Sequence, residues 1–140
     1  MSGSTMARTL IVDGSPEPVR SMRAMIDSFL RDHGLAHEEV RAIVLAFSEG
    51  LDNAWEHGTE GHGEIDVRLR HTERYVLVSL EDRGTEQVPV GRIHALDEES
   101  ENERGRGMLL MNKLMDYVHV RGVPEGGTRV SMLRLLGREP

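Results

Sequence analysis

Cysteine is absent from the 140 residues, which removes disulfides, thiolate metal sites and thiol nucleophiles together. Lysine is nearly absent as well. Lys113 is the one example, and the rest of the 17 basic residues are arginines. A P-loop of the form GxxxxGK[ST] needs a lysine ahead of its hydroxyl residue, whereas Lys113 stands in Asn112-Lys113-Leu114, so that phosphate-binding device is excluded. Any bound phosphate must be held by backbone amides and arginine. Positive charge is also the minority: 24 acidic residues and a formal charge of -7 argue against nucleic acid and favour a basic protein partner. Long apolar runs are missing too, since none approaches the roughly 18 residues that span a bilayer. Met1 to Ala7 lacks the charged and apolar parts of a signal peptide. The expectation is a cytoplasmic protein that contacts no membrane.

The residues that are present suit one folded core. A hydrophobic share of 38% beside a charged share of 29% excludes wholesale disorder and a coiled-coil rod, and the length allows one domain, expected over residues 8–136 with tails at 1–7 and 137–140. Thr9 to Val12 reads as an opening strand ending at the turn pair Asp13-Gly14. Ser15 and Pro16 then start a helix carrying Val19, Met22, Ile26, Phe29 and Leu30, which Gly34 stops. A second helix is expected from His37 to His57, its apolar stripe of Val40, Ile43, Val44, Phe47, Leu51 and Ala54 lying opposite Glu49. Two strands follow at 63–70 and 75–80, then a long acidic loop from Thr85 to Glu103, a helix opened by Gly105-Arg106-Gly107, and strands at 117–120 and 128–135. Hairpin-joined strands with interposed helices make an α+β two-layer sandwich, with a mixed, mostly antiparallel sheet covered by helices on one face.

Three places carry candidate chemistry. In Glu49-Gly-Leu-Asp-Asn53-Ala-Trp-Glu-His57, residues four apart are helix neighbours, so Glu49, Asn53 and His57 project polar atoms into one volume. A carboxylate there can take a proton from an attacking hydroxyl, and an amide oxygen can be the single protein ligand of Mg²⁺, whose other positions are waters and phosphates. The same spacing also arises as an ordinary polar stripe. Asp82 continues the alternation of Val76, Val78 and Leu80, which puts a carboxylate on the apolar face and demands a hydrogen-bond partner. An exocyclic amine such as that of adenine would serve; so would a backbone turn. Finally, Arg104-Gly105-Arg106-Gly107 at a helix start offers amides and two cations to an anion, although GxG is by itself common.

In this order and spacing the three elements resemble the Bergerat-type ATPase fold of sensor histidine kinases, gyrase B and MutL. The Glu49 to His57 helix is similar to the N box, Asp82-Arg83-Gly84 to the first glycine box, and Gly105 to Met111 to the second. Leu45-Ala-Phe-Ser-Glu49 running into Asn53-Ala54 and His57, with Leu114-Met115-Asp116 ahead of a strand, resembles the anti-sigma factor serine kinases of bacterial partner-switching systems. The resemblance implies an ATP-dependent serine/threonine kinase that phosphorylates an anti-sigma factor antagonist, sequesters a sigma factor and forms a homodimer through its N-terminal region. It implies Glu49 as general base, Asn53 as Mg²⁺ ligand and Asp82 as adenine reader. Gly84, Gly105 and Gly107 become close-approach positions, Arg104 and Arg106 triphosphate contacts, and His57, Met108 and Thr128 further nucleotide contacts. The family's first glycine box often continues to a second glycine, and Glu86 stands there instead. The alternative function is therefore a partner-switch binding module without catalysis.

Overall fold

The computed structural model describes residues 3–58, 62–83, 103–124 and 126–137. The elements in chain order are β1 (Ser4–Asp13), α1 (Glu17–Asp32), α2 (His37–Asn53) continued by a π-helical turn (Ala54–Gly58), β2 (His62–His71), β3 (Tyr75–Asp82), α3 (Glu103–Leu114), β4 (Tyr117–Gly122) and β5 (Thr128–Leu135). The strands form one sheet in the order β1-β2-β3-β5-β4. Every pairing in it is antiparallel, so the mixed sheet allowed by the sequence resolves to an antiparallel one. The expected α+β sandwich is otherwise what forms. Among the described residues no helix is long and apolar enough to cross a membrane.

Side-chain alternation decides which face is covered. Met6 and Val12, Ile65, Val67 and Leu69, Val76, Val78 and Leu80, and Met132 are buried on one face of the sheet, and the helices lie over them. On α1 the buried residues Val19, Met22, Ile26 and Leu30 recur every three or four positions, the spacing of one helical face. Ser15 precedes the helix and its hydroxyl accepts from the Glu17 amide at 3.2 Å. At the other end the Gly34 and Leu35 amides donate to the Arg31 and Leu30 carbonyls, closing the last turn. α2 buries Val40, Ile43, Ala46, Phe47, Gly50 and Leu51.

Three expected boundaries move. Residues 4–7, read as tail, are strand, because β1 pairs with β2 from Ser4↔His71 onward. α2 does not run as an α-helix to His57 but widens at Ala54 into the π turn. α3 begins at Glu103 rather than at the glycines, so Gly105 and Gly107 fall inside its first two turns. The acidic loop, including Gly84 and Glu86, lies outside the described residues.

Arg134 ties the layers together at the far end of the sheet. Its guanidinium meets both oxygens of Glu39, at 2.5 and 3.3 Å, and also donates to the Leu114 carbonyl at the end of α3, where a helix leaves acceptors without internal partners. One side chain thereby anchors β5, the first turn of α2 and the last turn of α3.

Phe47 has no exposed surface and is among the largest fully buried side chains. Phe47→Ala is expected to lower the unfolding free energy by about 3–5 kcal/mol in urea titrations, the cost of truncating an aromatic in a closed core.

Candidate functional site

α2 is clamped between two layers, and its polar end becomes the floor of the site. A Cβ placed on Gly50 would lie 2.7 Å from Leu80 Cδ1 of β3, with Met111 Sδ of α3 and Met132 Cε of β5 at 3.5 Å, so glycine is what lets this helix seat directly on the sheet. The neighbouring residue, Glu49, consequently sits at the boundary of the core, half-buried. On the other side, α3 descends onto the same turn. A Cβ on the buried Gly107 would be 2.9 Å from Glu49 Oε2, 3.6 Å from Asn53 Nδ2 and 3.8 Å from Asn53 Oδ1. The first and third sequence constellations are thus in contact, with a bare backbone facing a carboxylate and an amide.

Burial holds the Glu49 carboxyl above the usual glutamate range; Asp52 adds to this, and the Arg23 guanidinium partly offsets it. Asp52 lies one turn further along α2 and is paired with Arg23 of α1. A carboxylate made more basic in this way is a better proton acceptor near neutral pH.

Asp82 is the last residue of β3 and only 5% exposed, on the apolar face that alternation demanded. Its Oδ1 accepts from the Thr128 amide at 3.3 Å, across 46 residues of sequence. The residue before Thr128, Gly127, has φ +100°, and a Cβ there would lie 2.0 Å from the Asp82 carbonyl oxygen. Only glycine tolerates both that conformation and that approach. Asp82, Gly127 and Thr128 therefore form one unit at the start of β5, with Thr128 itself buried. Asp82 is the next residue after Leu80 on the same face of β3, about 7 Å along the strand, which puts the unit beside the Gly50–Glu49 turn. The π turn packs on β2 and β3 at the same end.

The remaining expected residues divide into groups. Met108 is half-buried and packed against the core, with its carbonyl accepting from Asn112. The backbones of Arg104, Gly105 and Arg106 lie in the first turn of α3, and that of His57 in the π turn, but their side-chain placement falls outside the described part of the structure. Gly84 is outside the described residues. Three participants escaped sequence reasoning. Gly127 had a signal, a Gly-Gly pair directly before a strand; Arg23 and Asp52 had none, being ordinary charged positions on amphipathic helices.

The assembled chemistry is a basic carboxylate, an adjacent amide oxygen able to take a hard cation, a glycine window over both, and a buried carboxylate that accepts from a backbone amide. The family described as histidine kinase-like ATPase domain matches residues 12–134. The chain is 30% identical to the serine-protein kinase RsbW of Bacillus licheniformis, over 89% of this chain and 82% of that protein. It is 28% identical to the anti-sigma F factor of Caldanaerobacter subterraneus, over 83% of this chain and 84% of that protein. A crystal structure of the RsbU and RsbW domains of a Mycobacterium tuberculosis protein superposes with a TM-score of 0.62 at 25% identity, covering 93% of this chain and 32% of the longer one.

Two expectations follow. Gly127→Ala should cost about 2–4 kcal/mol in chemical unfolding, because the new methyl group collides with backbone and the backbone angle is strained; wild-type stability would contradict the close approach. Glu49 carries a second consequence. A carboxyl whose folded value lies above its unfolded one favours folding in its protonated form, fully below the unfolded value, and that contribution is lost as pH rises through the folded value. Nucleotide-free Glu49→Gln should therefore melt higher than wild type at about pH 7 and match it near pH 3–4, as thermal unfolding across pH will report.

Proposed function

The chain belongs to the histidine kinase-like ATPase domain family, and from that membership we propose that it is an ATP-dependent protein serine/threonine kinase acting as an anti-sigma factor. In this reading it phosphorylates an anti-sigma factor antagonist and holds a sigma factor when the antagonist is absent or already phosphorylated. The observation that carries it is the seating of Gly107 against Glu49 and Asn53. It joins a proton acceptor, a cation ligand and a phosphate-facing backbone in one place, the minimum set for phosphoryl transfer in a chain without a P-loop.

The proposed step begins with Glu49 taking the proton of a serine or threonine hydroxyl on the partner protein. The hydroxyl oxygen bonds to the γ-phosphorus of ATP while the bond from that phosphorus to the β,γ-bridging oxygen breaks, leaving ADP and a phosphorylated side chain. Asp82 accepts the 6-amino N–H of adenine with a carboxylate already oriented by the Thr128 amide. Buried carboxylates read amines selectively because an unpaired one is costly. Asn53 fits Mg²⁺ by donor chemistry, as an amide oxygen one turn from a carboxylate, and the ion when bound would neutralise phosphate charge. Gly84, Gly105 and Gly107 give room to the phosphates, Arg104 and Arg106 supply the charge that lysine would otherwise bring, and His57, Met108 and Thr128 line the nucleotide. A second copy of the chain is the proposed homodimer partner, through the region of β1.

The test is transfer from Mg-ATP to proteins of the native cytoplasm, read by mass spectrometry for a new phosphoserine or phosphothreonine on an antagonist. Glu49→Gln should lower turnover by about 10²- to 10⁴-fold while nucleotide still binds. Asp82→Asn should weaken ADP binding by roughly tenfold or more in calorimetry, and chelation of divalent cations should abolish transfer. Nucleotide uptake without any transfer would reduce the protein to a binding module; no uptake of ATP or ADP at all would end the proposal.

A further inference from the structure

The ion pair between Arg23 and Asp52 bridges α1 and α2 at the turn that carries Glu49. Its placement follows from the core. Met22 and Ile26 are fully buried on α1, which fixes the rotation of that helix and aims Arg23 across the groove toward α2. Asp52 follows Glu49 by three residues, so the two carboxylates are neighbours on one helical face. Asp52 raises the cost of charge on Glu49, and left unneutralised it would push the Glu49 carboxylate away from the position the reaction needs. Arg23 is 34% exposed and Asp52 46%, so an ordinary surface pair of this kind would contribute little to stability. Two features set it apart. The Arg23 Nε is buried without a hydrogen-bond partner, so one side of the guanidinium is shielded from water and its charge acts on its surroundings with less screening. In addition, both members act electrostatically on Glu49, Asp52 against its charge and Arg23 for it.

We propose that Arg23 is a positioning residue for Glu49: by neutralising Asp52 and pinning α1 to this turn of α2, it keeps the Glu49 carboxylate directed at the reacting hydroxyl. This rests on the reading of Glu49 as general base. Arg23 touches neither the nucleotide nor the acceptor in this scheme; it acts through the charge balance of three side chains. The balance makes an unusual demand, that removing Asp52 should be harmless where removing Arg23 is not, and that removing both should be better than removing Arg23 alone.

The experiment measures single-turnover hydrolysis of Mg-ATP by the full chain, with water as acceptor so that docking of a partner protein plays no part, together with ADP affinity by calorimetry and thermal unfolding. Arg23→Gln should lower the rate constant by at least about tenfold with ADP affinity and KM for ATP within about twofold of wild type, the pattern of a lost transition-state interaction. Asp52→Asn should match or exceed wild type, the double variant R23Q/D52N should recover to within about threefold of it, and Arg23→Lys should retain most of the rate. Equal losses in Arg23→Gln and Asp52→Asn with no recovery in the double variant would show a structural staple and overturn the proposal. So would an unchanged Arg23→Gln beside a slow Glu49→Gln. An unchanged Glu49→Gln, or a wild type inert toward Mg-ATP, would remove the base itself and the positioning role with it.

Discussion

Two glycines set the spacing on which the site depends. Gly50 lets α2 lie against Leu80 of the sheet, and Gly107 lets α3 lie against Glu49 and Asn53 of α2, so three elements meet at one turn. A Cβ at either position would press on the end of a side chain, Leu80 Cδ1 or Glu49 Oε2, and that group would have to move aside. The geometry of the candidate site is thus a by-product of close packing. It holds Glu49 half-buried at the rim of the core, where burial raises its proton affinity.

Electrostatics then acts on a site that packing has already placed. With one lysine in the whole sequence, the described charges near α2 are carboxylates and arginines, and two of the three acidic groups of the site have a specific counterpart. Asp82 receives the Thr128 amide, which Gly127 brings within reach by crossing the Asp82 carbonyl. Asp52 receives Arg23. Among the described residues Glu49 has only a share of Arg23, and its proton affinity is raised. The contrast separates carboxylates tied into the fold from the one whose protonated form burial favours, since a partly buried charge without full compensation costs stability.

Much of this was legible beforehand because it is local. Val19, Met22, Ile26 and Leu30 announce the buried face of α1 by spacing alone, and the alternation of Val76, Val78, Leu80 and Asp82 places a carboxylate on the wrong side of a strand. The Glu49–Asn53 pair follows from helical pitch, and the ordered motifs resemble a known family. The failures are also physical. The α-helix expected to run to His57 gives way to a π turn at Ala54, and no residue in Ala54–Gly58 signals a widened turn. The start of α3 was misplaced by two residues, since glycines invite a helix boundary that the chain does not use.

The sequence by itself determined the element types, the buried faces, the absence of a P-loop and the identity of Glu49, Asn53 and Asp82 as the residues to watch, since each rests on periodicity within one element or on residue chemistry alone. Only the tertiary structure decided the all-antiparallel strand order, the partnership of Asp82 with Gly127 and Thr128, the descent of Gly107 onto Glu49, and the pairing of Arg23 with Asp52. These are contacts between segments distant along the chain. Their selection depends on how whole faces of helices and strands fill a shared volume, and no local pattern in a single sequence encodes that.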